Sequence, residues 1–220
     1  MLVAALDTST DWCSAALWRD GAIAGVERHA PNRHSELVLP MLQRLLEQAE
    51  ATFEQLQAVA FGAGPGSFTG LRIACGLAQG IALARGLPVL GVSTLEAMAE
   101  ECGARRVIAG LDARMGEVYW AAYERDGARW RAVCIPRCTP PESARAPDGE
   151  GWVGCGPAFV AYPAFLRHRI SAVMPEIHPS ATAIARLAAP RLVAGEGVDA
   201  AFAAPVYLRD KVALTVEEQR

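Results

Sequence analysis

The chain has 220 residues, of which 52% are hydrophobic and 20% are charged, and its formal net charge is -3 at pH 7. This composition fills one large core or two modest ones, and it excludes a disordered chain and a strongly basic nucleic-acid-binding protein. The single lysine, Lys211, lies near the end of the chain, which excludes a Walker-type phosphate loop.

The first half predicts strands and helices in alternation. Three short apolar runs, separated by polar or glycine-containing turns, predict an antiparallel meander over residues 2–8, 12–18 and 22–28. After the meander the sequence predicts helices over residues 34–49, 70–85 and 94–102, with strands between them over residues 57–62 and 88–92. Thr94 is the predicted N-cap of the last helix.

The second half is less regular. Residues 136–151 are rich in proline, arginine and acidic residues and predict an exposed loop. A short strand over 151–156, a helix over 158–167 and a helix over 180–194 follow. The tail from residue 205 ends in charged residues.

The opening of the chain repeats about 105 residues later. In both copies an aspartate ends an apolar strand, and a second strand leads to an Arg-Asp-Gly-Ala turn, which is a strong hairpin signal. The aspartates are Asp7 and Asp112, and the turns begin at Arg19 and Arg125. The repeat predicts a duplicated α/β protein with lobes at residues 1–104 and 105–220.

A glycine-rich loop, residues 62–70, stands between a predicted strand and a predicted helix. Pro65 and Gly66 fit the centre of a type II turn, while Ser67 and Thr69 fit helix caps. The exposed amides of a helix start bind anions, so the loop is a candidate phosphate site. Close packing of the glycines against the sheet or a partner explains the same pattern equally well.

Two neighbouring helices carry more apolar surface than one sheet contact requires. The helix over 70–85 has only two charged side chains and places Gly76 and Gly80 one turn apart, while apolar residues cover more than half of the helix over 34–49. This pattern favours pairing with another subunit. Burial of both helices in a larger monomer core is the alternative.

Four blocks of the sequence resemble the bacterial TsaB (YeaZ) family. They are residues 4–10, 64–73, 112–119 and 205–213, with the sequences AALDTST, GPGSFTGLRI, DARMGEVY and PVYLRDKVA. The blocks are in order and extend from the first strand to the tail, so the resemblance covers essentially the whole chain.

The resemblance implies a duplicated two-lobed fold of the actin, Hsp70 and sugar-kinase type (ASKHA, RNase H-like). It implies a cytoplasmic accessory subunit that pairs with the TsaD transferase, with TsaE, to form N6-threonylcarbamoyladenosine at position 37 of tRNAs reading codons that begin with adenine. ATP and a divalent metal are expected on the partner subunit, and none on this chain. A homodimer is expected when the chain is alone, and tRNA contact only through the complex.

By the same resemblance the pairing surface lies on the two apolar helices. The expected pairing residues are Leu37, Val38, Met41, Leu42, Leu45, Arg72, Ile73, Gly76, Leu77 and Gly80. The residues expected near a phosphate or nucleotide are Asp7, Ser9, Gly66, Ser67 and Asp112.

The residues offer little for catalysis by this chain alone. Pro31 separates His29 from His34, so the two cannot act as paired helical metal ligands, and the six cysteines suit free thiols of a reducing compartment. No metal site is predicted. Ser9, Ser14 and Ser67 lack a nucleophile elbow for hydrolysis. A stand-alone ATPase or phosphotransferase using Asp7 and Asp112 is the alternative function.

Overall fold

Two β-sheets, each built on an antiparallel meander, organise the chain. The computed structural model describes residues 1–209, apart from the side chain of residue 167. In the first sheet β1 (Leu2–Asp7), β2 (Trp12–Arg19) and β3 (Ala22–His29) form the meander. The strands β4 (Ala58–Gly64) and β5 (Pro88–Ser93) continue the sheet in parallel on the other side of β1.

The second sheet repeats this arrangement. Its strands are β6 (Arg106–Arg114), β7 (Glu117–Asp126), β8 (Arg129–Thr139), β9 (Val153–Cys155) and β10 (Ala172–Met174). Their spatial order β10-β9-β6-β7-β8 matches β5-β4-β1-β2-β3 of the first sheet, with the same parallel and antiparallel pairs. The structure confirms the predicted duplicated, two-lobed α/β fold.

The described residues form five helices that cover the sheets: α1 (His34–Gln48), α2 (Phe68–Leu83), α3 (Thr94–Cys102), α4 (Ala158–Ala161) and α5 (Ala181–Val193). Alternate side chains of β1 point to opposite faces, so Leu2, Ala4 and Leu6 pack under α1 and α2. Val3 and Ala5 pack under α5. Burial on both faces explains why β1 reads as a continuous apolar run.

Helix α3 joins the lobes. Leu95, Met98 and Ala99 pack on the second sheet, whereas Ala97 packs with α5 on the first. The helix begins at Thr94 with Ser93 at the cap position, so the predicted cap was one residue too late. The Thr94 hydroxyl instead donates a hydrogen bond to the Pro65 carbonyl at 2.5 Å, which fastens α3 to the glycine loop.

The end of the chain returns to the first lobe. Helix α5 is capped by Ser180 and packs on the first sheet, and the short strand β11 (Val198–Asp199) pairs with the edge of β5. Residues 181–199, which the predicted division at residue 104 assigns to the second lobe, therefore complete the first. Residues 210–220 of that predicted lobe lie outside the described part of the chain.

Two predictions for the second lobe were wrong. The helix expected over 158–167 ends at Ala161, because Pro163 disfavours a helical conformation of the residue before it. The loop expected from residue 136 begins only after β8 ends at Thr139. Pro136 is tolerated there because β8 is an edge strand. Among residues 1–209, no helix combines the length and apolar character that a membrane crossing needs.

Candidate functional site

Helix α2 exposes a stripe of small and apolar positions along its outer side. Arg72, Gly76, Gly80 and Leu83 are exposed and follow one another at spacings of three or four residues, which places them on one helix face. A Cβ atom added to Gly76 or Gly80 would meet no heavy atom within 4 Å. Leu83 is 60% exposed. We call these four residues the α2 stripe.

The remaining predicted residues of α2 lie beside this stripe. Ile73 and Leu77 are half-buried and pack against the core of the first lobe. They present part of their surface next to the exposed glycines. All five α2 residues expected to pair therefore lie on or beside the exposed face.

Helix α1 does not present the expected surface. Val38, Met41, Leu42 and Leu45 are buried in the core between the first sheet and its helices, and Leu37 is half-buried. The excess apolar surface of α1 is used inside the monomer, because the helix touches both the sheet and the neighbouring α2. The four buried residues are therefore not part of an accessible pairing surface in this structure.

Aromatic residues that the sequence reasoning missed border the stripe. The Arg72 guanidinium lies 3.8 Å from the ring centroid of Phe68, and its Nε donates a hydrogen bond to the Tyr207 hydroxyl at 3.0 Å. Phe202, in a 3-10 turn that packs on α2, is 79% exposed. The turn is held by Gln79, whose Nε2 donates to the carbonyls of residues 200 and 203 at 3.2 and 3.0 Å.

A second candidate site is the cleft between the lobes, with a volume of about 720 Å³. Four of the five residues expected near a phosphate line it: Ser9, Gly66, Ser67 and Asp112. The Asp112 carboxylate accepts hydrogen bonds from the Arg114 amide at 2.8 Å and the Tyr162 hydroxyl at 3.1 Å. Phosphate or nucleotide binding in this cleft stays a prediction.

The fifth expected residue, Asp7, does not line the cleft. Its side chain is fully buried, and Oδ1 accepts hydrogen bonds from the amide and hydroxyl of Ser9 at 3.1 and 2.9 Å. The other oxygen, Oδ2, has no hydrogen-bond partner among residues 1–209. Burial raises the pKa of Asp7 from 3.8 to about 7, although the Ser9 bonds and the charge of His178 oppose the rise. Asp7 orders the Ser9 turn instead of reaching a ligand in the cleft.

The glycine loop packs closely on that turn. A Cβ on Gly66 would lie 2.5 Å from the Ser9 carbonyl oxygen, and one on Gly70 would lie 1.9 Å from the Thr8 oxygen. The predicted type II turn is absent, because Gly66 lacks the positive φ that such a turn requires. Ser67 is the cap of α2, as predicted, and accepts the Gly70 amide at 3.3 Å. Packing thus accounts for Gly66 and Gly70.

Across residues 1–209, no three histidine, cysteine, aspartate or glutamate side chains are grouped so that they could hold a metal ion. His29 is exposed on β3, whereas His34 is buried at the start of α1.

Comparisons with known proteins agree over nearly the whole chain. A family model described as TsaD, tRNA N6-adenosine threonylcarbamoyltransferase, matches residues 26–146. The tRNA threonylcarbamoyladenosine biosynthesis protein TsaB of Escherichia coli K12 is 40% identical, covering 97% of this chain and 96% of that protein. TsaB of Haemophilus influenzae Rd is 33% identical, covering 94% and 93%. The structure of YeaZ from Pseudomonas aeruginosa superposes with a TM-score of 0.90 at 40% identity, covering 94% of this chain and 99% of that one.

Proposed function

The chain belongs to the TsaB family of tRNA threonylcarbamoyladenosine biosynthesis proteins, and from this premise we propose that it is an accessory subunit without catalysis of its own. It pairs with a TsaD-like threonylcarbamoyltransferase and acts with a TsaE-like ATPase in the cytoplasm. ATP and the divalent metal belong to those partners, and tRNA meets this chain only within the complex. The modified tRNAs read codons that begin with adenine.

The observation that supports pairing is the open α2 stripe. Gly76 and Gly80 have free space above them, and Leu83 and Phe202 add exposed apolar surface beside them. Small residues let the backbone of a second helix approach closely, while flanking apolar side chains supply buried area. A helix of the partner is therefore the proposed occupant of the stripe.

The match of the TsaD family model to residues 26–146 supports a transferase of related fold as that partner. Two proteins of related fold can place equivalent helices against each other about an approximate two-fold axis. The same geometry supports a homodimer when the transferase is absent. The transferase and a second copy then compete for one surface.

Substitution Gly76→Glu tests the proposal. The position is exposed and helical, so glutamate fits the monomer and has a better helix propensity than glycine. Buried in a helix pair, the same charge lacks a partner. We expect affinity for the transferase to fall at least ~30-fold, which corresponds to about 2 kcal/mol at an interface hot spot. The measurement is calorimetric titration of purified transferase with each variant.

Val193→Glu is the matched control, because it adds the same charge at an exposed position of α5 on the opposite face of the first sheet. It should bind like the unmodified chain. Leu42→Glu, by contrast, would test folding and not pairing, since Leu42 is fully buried. Undiminished binding of the Gly76→Glu protein would place the interface elsewhere.

The alternative, a stand-alone ATPase or phosphotransferase, finds support in the interlobe cleft but not in Asp7. A carboxylate enclosed by Gly62 and Ser9 does not reach a nucleotide in the cleft without rearrangement. Titration of the isolated chain with ATP and magnesium decides between the two functions. Tight binding that is lost in Asp112→Ala, together with ATP turnover, would favour the enzyme over the accessory subunit.

A further inference from the structure

Two cysteines and a methionine are neighbours where the chain passes from the first lobe to the second. Cys102 ends α3, and its Sγ lies 3.8 Å from the Sδ of Met174 on β10. Met174 is the direct neighbour of Cys155 on the adjacent strand β9. The Cys155 Sγ lies 3.8 Å from the carbonyl oxygen of Met98, one helical turn before Cys102. Cys102 packs against the cluster of buried residues that contains Cys155 and Met98.

The two thiols differ in environment. Cys102 is partly exposed, whereas Cys155 is fully buried. The hydrogen bond from Cys155 and, secondarily, the backbone amide of Ala104 lower the pKa of Cys102 to about 7, against burial and the charge of Glu176. The pKa of Cys155 lies well above the usual value, because its interaction with Cys102 and its burial both favour the protonated thiol. A partly exposed thiolate next to a second thiol is the arrangement that peroxides oxidise selectively.

We propose that Cys102 and Cys155 form a site of reversible oxidation, at which a peroxide converts the two thiols into a disulfide between α3 and β9. The Cys102 thiolate attacks one oxygen of hydrogen peroxide, the O–O bond breaks, and hydroxide leaves to become water. The product is a sulfenic acid. The Cys155 sulfur then attacks the Cys102 sulfur, the S–O bond breaks, and the hydroxyl group leaves with the Cys155 proton as a second water molecule.

The overall reaction consumes two thiols and one hydrogen peroxide and yields one disulfide and two waters. A dithiol reductant reverses it by thiol exchange. The buried, protonated Cys155 makes the second step the slower one, since the thiolate is the reactive form. The bridge would fasten the end of α3 to the second sheet at the junction of the lobes.

The test treats the purified full chain with hydrogen peroxide and blocks the remaining thiols before analysis. We expect two of the six free thiols to be lost, one linked peptide pair containing Cys102 and Cys155, and full recovery with dithiothreitol. In Cys155→Ser the reaction should stop at the sulfenic acid of Cys102, which dimedone traps. In Cys102→Ser neither product should form.

Cys134→Ser is the matched control, because Cys134 is a half-buried thiol of the same lobe on β8. It should oxidise like the unmodified chain. Peptide mapping of the unmodified chain keeps the test independent of whether the Cys155→Ser protein folds. Unlinked Cys102 and Cys155 peptides after oxidation, or a disulfide between other cysteines, would overturn the proposal.

Discussion

Replacing Asp7 by asparagine should stabilise the protein, and increasingly so as the pH rises. Asparagine keeps an oxygen at Oδ1, where the amide and hydroxyl of Ser9 donate. It removes the charge from Oδ2, which no donor in the described part of the chain reaches. The buried amide nitrogen of the variant also lacks a partner, but that cost does not depend on pH.

The magnitude follows from the pKa of Asp7, which burial raises from 3.8 to about 7. A raised carboxyl pKa means that the folded state binds the proton more tightly than the unfolded state. The contribution of Asp7 to the free energy of unfolding is therefore most favourable below pH 4 and is lost as the pH rises. A shift of about 3 units at 1.36 kcal/mol per unit corresponds to a loss of about 4 kcal/mol by pH 7 to 8. The Asp7→Asn protein should not show this loss.

Urea unfolding of both proteins between pH 5 and pH 8 measures the difference directly. The free-energy advantage of Asp7→Asn should grow across this range by about 2 to 3 kcal/mol. Asp126→Asn, which removes an exposed carboxylate, is the control for the loss of one negative charge. A pH-independent difference for Asp7→Asn would refute the reasoning, because it would mean that the Asp7 carboxyl titrates alike in both states.

Two further stability predictions follow from close contacts. In Gly62→Ala the new Cβ would lie 1.9 Å from Asp7 Oδ2, so urea unfolding should show a free energy of unfolding lower by about 1 to 3 kcal/mol. Gly76→Ala, where the Cβ meets open space, should show no such loss. Equal stability of the two variants would contradict the close contact at Gly62. Ser180→Ala removes the hydroxyl that accepts a hydrogen bond from the Ala183 amide at the start of α5, so the free energy of unfolding should fall by about 1 kcal/mol in the same assay. An unchanged urea midpoint would contradict a stabilising role for this cap.

Local signals were sufficient for most of the first lobe. The strands β1, β2 and β3 and the helices α1 and α2 lie within about two residues of their predicted bounds. Their periodicities and turn residues depend only on neighbouring positions. The repeat of the Asp-Gly turns at an offset of about 105 residues also predicted the second meander, because a duplicated strand order needs no knowledge of long-range contacts.

The same local signals could not predict long-range packing. The wide apolar surface of α1 fits either an interface with another subunit or burial between the first sheet and α2. The structure shows burial, because α2 packs against α1, and the sequence of α1 alone does not contain this information. The burial of Asp7 likewise depends on Gly62, which packs against the carboxylate from a distant part of the chain. The return of residues 181–207 to the first lobe has no local signal, so Phe202 and Tyr207 were missed beside α2.

The glycines of the glycine loop differ from the two exposed glycines in the middle of α2, and the difference favours an external partner. Gly62, Gly66 and Gly70 each occupy a site where a Cβ would collide with atoms of this chain, so internal packing explains them. Gly76 and Gly80 have open space above them and negative φ, yet each costs about 1 kcal/mol relative to alanine in a helix. No contact within residues 1–209 offsets that cost. Close approach of another helix backbone would offset it, and this is the physical reason to place the partner on the α2 stripe.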